Sequence, residues 1–316
     1  MESTPLPSVT LLQSLAQDLV PLLIANNNNI NSLEIKSNDT QIKMIAIPSN
    51  VKSRLVSLKE AVSKEPNQVL YLNPIRGVAK QHNIPHDALV ALLLEVLVRY
   101  EVENKTIIGI THLSLSGCQF KSLPRLPSSI TIFDASHNNL SSIPHLPPSI
   151  TTLDLSHNNL SSIPPLPRSI TTLDLSHNIL SSIPPLPRSI TTLNVSHNNL
   201  NSIPPLPPSI TTLDISRNRL DSIPPPPPPS ITTLDLSHNN LSSIPSLPPS
   251  ITTLDASHNH LTDIPWMLRD CPQLTHLDLS FNLQLPHDLA KFFLPHSVTP
   301  NNFTFINPQA ALSYLR

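Results

Sequence analysis

The chain has 316 residues, a formal net charge of −2, 37 prolines, 3 glycines and an aromatic fraction of 3%. An ordinary chain carries about 5% Pro and about 7% Gly, so this one turns on Pro, Ser and Asn, and its prolines disfavour an ordinary helical or sheet domain. Lys and Arg do not cluster, which leaves no phosphate-binding footprint and argues against a nucleic-acid partner. Two distant cysteines, Cys118 and Cys271, form neither a disulfide framework nor a metal cluster and fit a reducing compartment.

The first apolar stretch, residues 7–25, lacks a basic flank and contains Gln13, Gln17 and Asp18. It reads as an amphipathic helix and not as a signal peptide. Residues 33–47 read as two strands around a polar turn. Val51, Leu55, Leu58 and Val62 fall on one helical face, with Ser49 placed to cap it. Residues 87–100 form a strongly apolar helix, expected to be buried. Its core, residues 88–98, is too short for a membrane span and is broken by Glu95. Residues 1–109 are therefore expected to form a small α+β or mainly helical domain. Its last helix would cap the open end of the segment that begins at residue 110, and no motif in it indicates an activity.

From residue 110 the chain repeats itself. "SITTLDLSHNNLSSIPPLP" at 149–167 is followed by "SITTLDLSHNILSSIPPLP" at 169–187, with one change. With the apolar residue before "TT" taken as position 1, that position falls on Ile110, Ile130, Ile150, Ile170, Ile190, Ile210, Ile231, Ile251 and Leu274. The nine units fit LxxLxLxxNxL, the core of a leucine-rich repeat. Position 9 is Cys118 and thereafter Asn, from Asn138 to Asn282.

Positions 3 to 7 are expected to form one strand, with 4 and 6 inward and 3, 5 and 7 outward. A single unit cannot bury its apolar face, but stacked units share one core. The Asn at position 9 is expected to bond backbone groups of its own and the neighbouring turn. Apolar residues at positions 14 and 17 would return to the core. The prolines between them favour an extended convex side. The last unit, "IPWMLRDCPQLTHLDLS", has no proline between Pro265 and Pro272, so a helical turn fits there, with Cys271 packed in the core. In residues 286–316, Phe292, Phe293, Phe303, Phe305 and Tyr314 would cover the end of the last repeat.

The motif "LPPSITTLDLSHNNLSSIPPLP" resembles the bacterial-type leucine-rich repeats of YopM-like and IpaH-like effectors. The paired prolines, the Ser before position 1 and the 20-residue unit all match, while Ile replaces Leu in several slots. The resemblance covers roughly 110–285; similar short repeats also occur in proteins of amoebae and large viruses. IpaH-like enzymes carry a ubiquitin-ligase domain with a catalytic Cys after the repeats. Here the 31 residues after 285 contain no Cys, so that activity is not implied. The repeat-only, YopM-like arrangement is the better match.

Two outward columns could carry a message. Position 5 holds Asp134, Asp154, Asp174, Asn194, Asp214, Asp235, Asp255 and Asp278; position 8 holds His137, His157, His177, His197, Arg217, His238 and His258. Strands stack about 4.8 Å apart, so neighbouring carboxylates repel by about 1 kcal/mol in water and more near protein. Either the column binds a basic partner or cations, or an ancestral unit was copied and water with Thr and Ser screens it. The His row would titrate upward beside the Asp column and make a pH-dependent face, or it is an exposed neutral row. Single His ligands on successive strands do not make a closed metal site. The Ser, His and Asp of "DLSH" do not suit a hydrolase, because positions 7 and 8 point apart and no Gly loop is present.

Departures from the copy are more telling. Ile179 replaces Asn, Asn194 interrupts the Asp column, and "SRNRLDSIPPPPPPS" places Arg217 and Arg219 where other units have His and Asn.

The expectation is an α/β leucine-rich-repeat solenoid with a parallel concave sheet and a polyproline-like convex side. Its parts are an N-terminal cap (1–109), nine repeats (110–285) and a C-terminal cap (286–316). Nine strands would give a sheet about 38 Å long, enough for a protein partner. The function expected is a non-enzymatic interaction scaffold with no cofactor, no metal and no catalytic residues. It would be soluble, without a membrane span, and secreted by a non-classical bacterial system into a host cytoplasm. The alternatives are an intracellular eukaryotic or viral adaptor, or an activity within 1–109. The expected binding residues are Thr152, Asp154, His157, Thr172, Asp174, His177, Asn194, His197, Asp214, Arg217, Arg219, Asp235, His238, Asp255 and His258.

Overall fold

The computed structural model describes residues 7–25, 49–64, 69–71, 75–104, 108–224, 227–263, 268, 270–285 and 304–306. The chain divides into two compact units, Met1–Leu153 and Asp154–Arg316. Within each unit the strands lie in the sheet in the order they have in the chain.

In the first unit, α1 (Pro7–Ala25) spans the expected amphipathic helix and buries Leu15, Ala16, Leu19 and Val20. It packs on α2 (Ser49–Lys64), whose Val51, Leu55 and Leu58 are fully buried while Val62 is half-buried. Asp18 of α1 pairs with Arg54 of α2. A short α3 (Arg76–Gln81) precedes α4 (His86–Asn104). In α4, Leu89, Val90, Leu93, Leu94 and Leu97 are all fully buried, too many for one stripe, as a helix enclosed by neighbours requires. The strands expected over 33–47 lie outside the described residues.

Beside the first repeat strand, β2 (His112–Ser114), runs an unexpected one. β1 (Val69–Tyr71) pairs with it in parallel, Leu70 against Leu113, so a strand extends the sheet where the sequence suggested only a helix. β2 pairs in turn with β3 (Ile132–Asp134), Leu113 against Phe133.

The next strand, β4 (Thr152–Asp154), begins in the first unit and ends at the start of the second. The second unit continues with β5 (Thr172–Asp174), β6 (Thr192–Asn194), β7 (Thr212–Asp214), β8 (Thr233–Asp235), β9 (Thr253–Asp255) and β10 (His276–Asp278). From β5 to β10 these are parallel and in register, each position-4 leucine opposite the next. β11 (Thr304–Ile306) then pairs antiparallel with β10, Phe305 opposite Leu277. The other four C-terminal aromatics expected to form a cap lie outside the described residues.

Each strand is three residues, positions 3 to 5, and not the five expected. Position 7 corrects a second expectation: Ser156, Ser176, Ser196, Ser216, Ser237 and Ser257 are buried at 5–7% exposure, not outward. Positions 1, 4, 6 and 11 form the core, as in Ile170, Leu173, Leu175 and Leu180. Position 14 sits at its margin, with Ile183 8% exposed. At position 17 Leu166 and Leu186 are only half-buried, so that slot shields the core rim and does not fill it; Leu247 is the buried exception.

Between strands the described residues of the second unit form bends and turns, with a 3₁₀ turn at Leu268 and Asp270. The prolines there have no N–H to give a helix. The chain re-enters the sheet through a turn in which Ile170 N–H donates to the Pro167 carbonyl at 3.3 Å. Cys271 is fully buried and its thiol donates to the Pro248 carbonyl at 3.8 Å.

Candidate interaction surface

Most recurring letters turn out to bond backbone. The Asn178 amide nitrogen donates to the carbonyls of Leu155, Leu175 and Ser176, and its oxygen accepts the Leu160 N–H at 2.9 Å. Asn198, Asn218, Asn239 and Asn259 repeat the pattern, which is the role expected of position 9. The Ser before position 1 bridges two carbonyls one repeat back: Ser189 Oγ donates to Arg168 and Ile170 at 2.7 and 2.6 Å. Thr at position 2 ladders similarly, Thr191 Oγ1 to the Thr171 carbonyl at 3.1 Å. These two ladders were visible only as repetition, because a hydroxyl's partner depends on the stacking register.

The Asp column has a specific structural cause. Asp174 Oδ1 accepts the N–H of Ser176 at 2.8 Å, closing an Asx turn that ends the strand. Asp134, Asp154, Asp214, Asp235, Asp255 and Asp278 do the same. The Ser216 hydroxyl also donates to Asp214 Oδ1 at 2.7 Å. In the "DLSH" of residues 235–238 the Ser237 hydroxyl likewise bonds the Asp235 carboxylate. Asn194 keeps the turn, accepting Ser196 N–H, and donates to Asp174 Oδ2 at 3.2 Å, replacing repulsion with a hydrogen bond. Burial, with Asp214 and Asp255 on either side, holds the Asp235 carboxyl above the usual range, against the Ser237 hydrogen bonds that lower it.

Position 8 is a left-handed residue in every described repeat. His157, His177, His197, Arg217, His238 and His258 all have φ of 52–54°, Phe281 has 57°, and the same slot in the first repeat is Gly117 at 67°. His tolerates this region better than β-branched residues. The reversal presents each N–H to the next repeat, His177 to the Ser196 carbonyl at 3.0 Å, and turns the following Asn inward.

The rings then meet. His157 stacks on His177 at 4.1 Å and His177 on His197 at 3.9 Å; beyond Arg217, His238 stacks on His258 at 4.0 Å and His258 on Phe281 at 4.1 Å. The expected rise in imidazole pKa is reversed where a shift is resolved. Burial first, then Arg217 and His157, push His197 down against the pull of Asp214. Burial, His258, Arg217 and His197 push His238 down against Asp255. Two charges 4 Å apart repel by about 1 kcal/mol in water and about 4 at an intermediate dielectric.

The expected binding residues thus divide. Thr152 and Thr172 lie half-buried on the strand face beside the position-5 side chains. The five histidines join in two stacked runs. Arg217 and Arg219 are both exposed; Arg217 fills position 8 between the two runs, while Arg219 and Ile179, the latter 44% exposed, fill position 10 of their repeats. Both cysteines are buried and without a disulfide, and burial pushes each thiol up to about 11. Among the described residues no three His, Cys, Asp or Glu side chains converge as metal ligands, and no helix is long and apolar enough to cross a membrane.

Comparison with known proteins agrees with this geometry. Models described as leucine-rich repeats match residues 148–188 and 249–291, and a further leucine-rich-repeat model matches 189–210, 209–229 and 230–251. No curated protein sequence matches the chain. Among solved structures, YopM from Yersinia pestis, described as a leucine-rich effector protein, is 26% identical with a TM-score of 0.52, over 72% of this chain and 60% of that one. YopM from Yersinia enterocolitica WA-314 is 40% identical over 51% of this chain and 35% of that one, with a TM-score of 0.49. A Shigella effector leucine-rich-repeat domain is 28% identical over 65% and 86%, with a TM-score of 0.45. The chain spans about a third and three-fifths of the lengths of the two YopM chains. Over residues 148–291 the chain carries leucine-rich repeats, and these resemble the repeats of YopM-like bacterial effectors.

Proposed function

We propose that this chain is a non-enzymatic scaffold that binds a protein partner on the strand face of its repeats, and that it acts as a bacterial effector inside a host cell. The observation that carries the reading is the pair Arg217 and Arg219. In a surface where most recurring letters hold backbone together, these two exposed cations break the copy at neighbouring outward slots. Arg is favoured at interface centres because its planar fork binds carboxylates in two places at once. The resemblance to a leucine-rich effector of Yersinia pestis supports the host-directed role. Residues 1–109 and 286–316 then serve as caps on the repeats of 110–285, a division supported by β1 lying on β2 and β11 on β10.

The test is site-specific photo-crosslinking in the full chain, in lysate of a candidate host cell. A crosslinker at Thr212, on the strand face, is expected to capture a defined protein that a crosslinker at Pro205, in the segment between strands, does not. Capture from Pro205 alone would place the binding surface elsewhere.

A further inference from the structure

The position-8 ridge of the second unit is two runs of parallel rings, His157–His177–His197 and His238–His258–Phe281, with neighbouring centroids 3.9–4.1 Å apart and planes within 18°. Rings this close pack well when neutral and badly when adjacent members are charged. The histidines cannot easily move apart, because each is anchored at a left-handed backbone position whose N–H is committed to the next repeat. Arg217 adds a fixed positive charge between the two runs.

We propose that the stacked imidazole ladder is a pH-sensitive element of the strand face, stable when neutral and destabilised in acid by repulsion between adjacent rings that cannot separate. This rests on the reading of that face as the binding surface only for its consequence, loss of partner in an acidified compartment; the ladder itself is testable without a partner.

The charges facing each run set the direction. At the end of the first run, His197 meets Arg217 and His157, which oppose protonation, and Asp214, which favours it. At the start of the second, His238 meets His258, Arg217 and His197 against Asp255. In both cases burial is the leading cause and the net direction is downward. The folded chain therefore takes up these protons less readily than the unfolded chain. The ladder's stability is full above the ordinary imidazole value of about 6.5 and is lost as pH falls through the lower folded values.

The experiment compares urea unfolding of the full chain with that of His177→Asn at pH 7.5 and 5.2. Asn suits the left-handed position and cannot be protonated. The parent midpoint is expected to fall on acidification by more than that of the variant, by on the order of 0.5 M, whatever their relative stability at pH 7.5. An equal fall in both overturns the proposal. Should His177→Asn not fold, ring-proton NMR titration of the parent decides. His197 and His238 are expected to titrate below the ordinary imidazole value of about 6.5, and titration of both at or above that value overturns the ladder. Acid-resistant binding in a chain that passes these tests would count against the binding surface and not against the ladder.

Discussion

Asp235 shows how one residue type carries two opposed effects. Its Oδ1 accepts the Ser237 N–H at 2.9 Å and ends a strand, while burial and its like-charged neighbours Asp214 and Asp255 make the charge unwelcome. Asn keeps the acceptor and removes the charge, as Asn194 already does in the same column. Asp235→Asn is therefore expected to raise the thermal midpoint at pH 7. The sign with pH comes from the raised carboxyl: Asp235 costs stability when ionised, and the cost vanishes as pH falls through its folded value. The gap between variant and parent should close towards pH 4. Asp235→Ala should instead lose about 1 kcal/mol, the worth of the abandoned hydrogen bond. The column was legible in the sequence but its cause was not. An Asx turn needs the backbone N–H two residues on, and alternation had placed that serine outward.

At the scale of the element, the repeat is held less by its three-residue strand than by the groups flanking it. Asn178 joins three carbonyls and one N–H from two successive repeats while being 7% exposed. Asn178→Ala should cost about 3 kcal/mol, since several buried backbone groups lose their partner at once. Chemical denaturation measures this, and a loss below about 1 kcal/mol would mean that water replaces the amide. The core leucines, the Asn role, the apolar helix α4 and the non-helical path of the described residues between the proline-rich repeats were readable, because each follows from period, burial or a missing N–H. The strand β1 was not, because three residues cannot display a period. β11 was equally short, though "FTFI" carries the aromatic and β-branched residues that favour strands. The left-handed backbone at position 8 was hidden by His, which occupies it without the glycine that usually marks it; Gly117 in the same slot of the first repeat was the available signal.

Across the molecule, stability in a repeat array is a sum of similar units and their interfaces, which frees individual outward slots to vary. The position-9 Asn, the position-2 Thr and the Ser before position 1 recur because backbone depends on them. Arg217 and Arg219 have no such duty and are exposed. That contrast is the central claim: structure is written in the letters that repeat, and recognition in those that depart. The direct measurement is the affinity of a crosslinked partner for three full-length chains. One is the parent, the second carries Arg217→His and Arg219→Asn, restoring the letters of neighbouring repeats, and the third carries Arg168→Pro and Arg188→Pro. The last removes the same charge at exposed positions between strands, again with a residue other repeats use there. The account predicts binding at least tenfold weaker for the second chain, about 1.4 kcal/mol, and unchanged for the third. Unchanged binding for the second chain, or an equal loss in both, would contradict it.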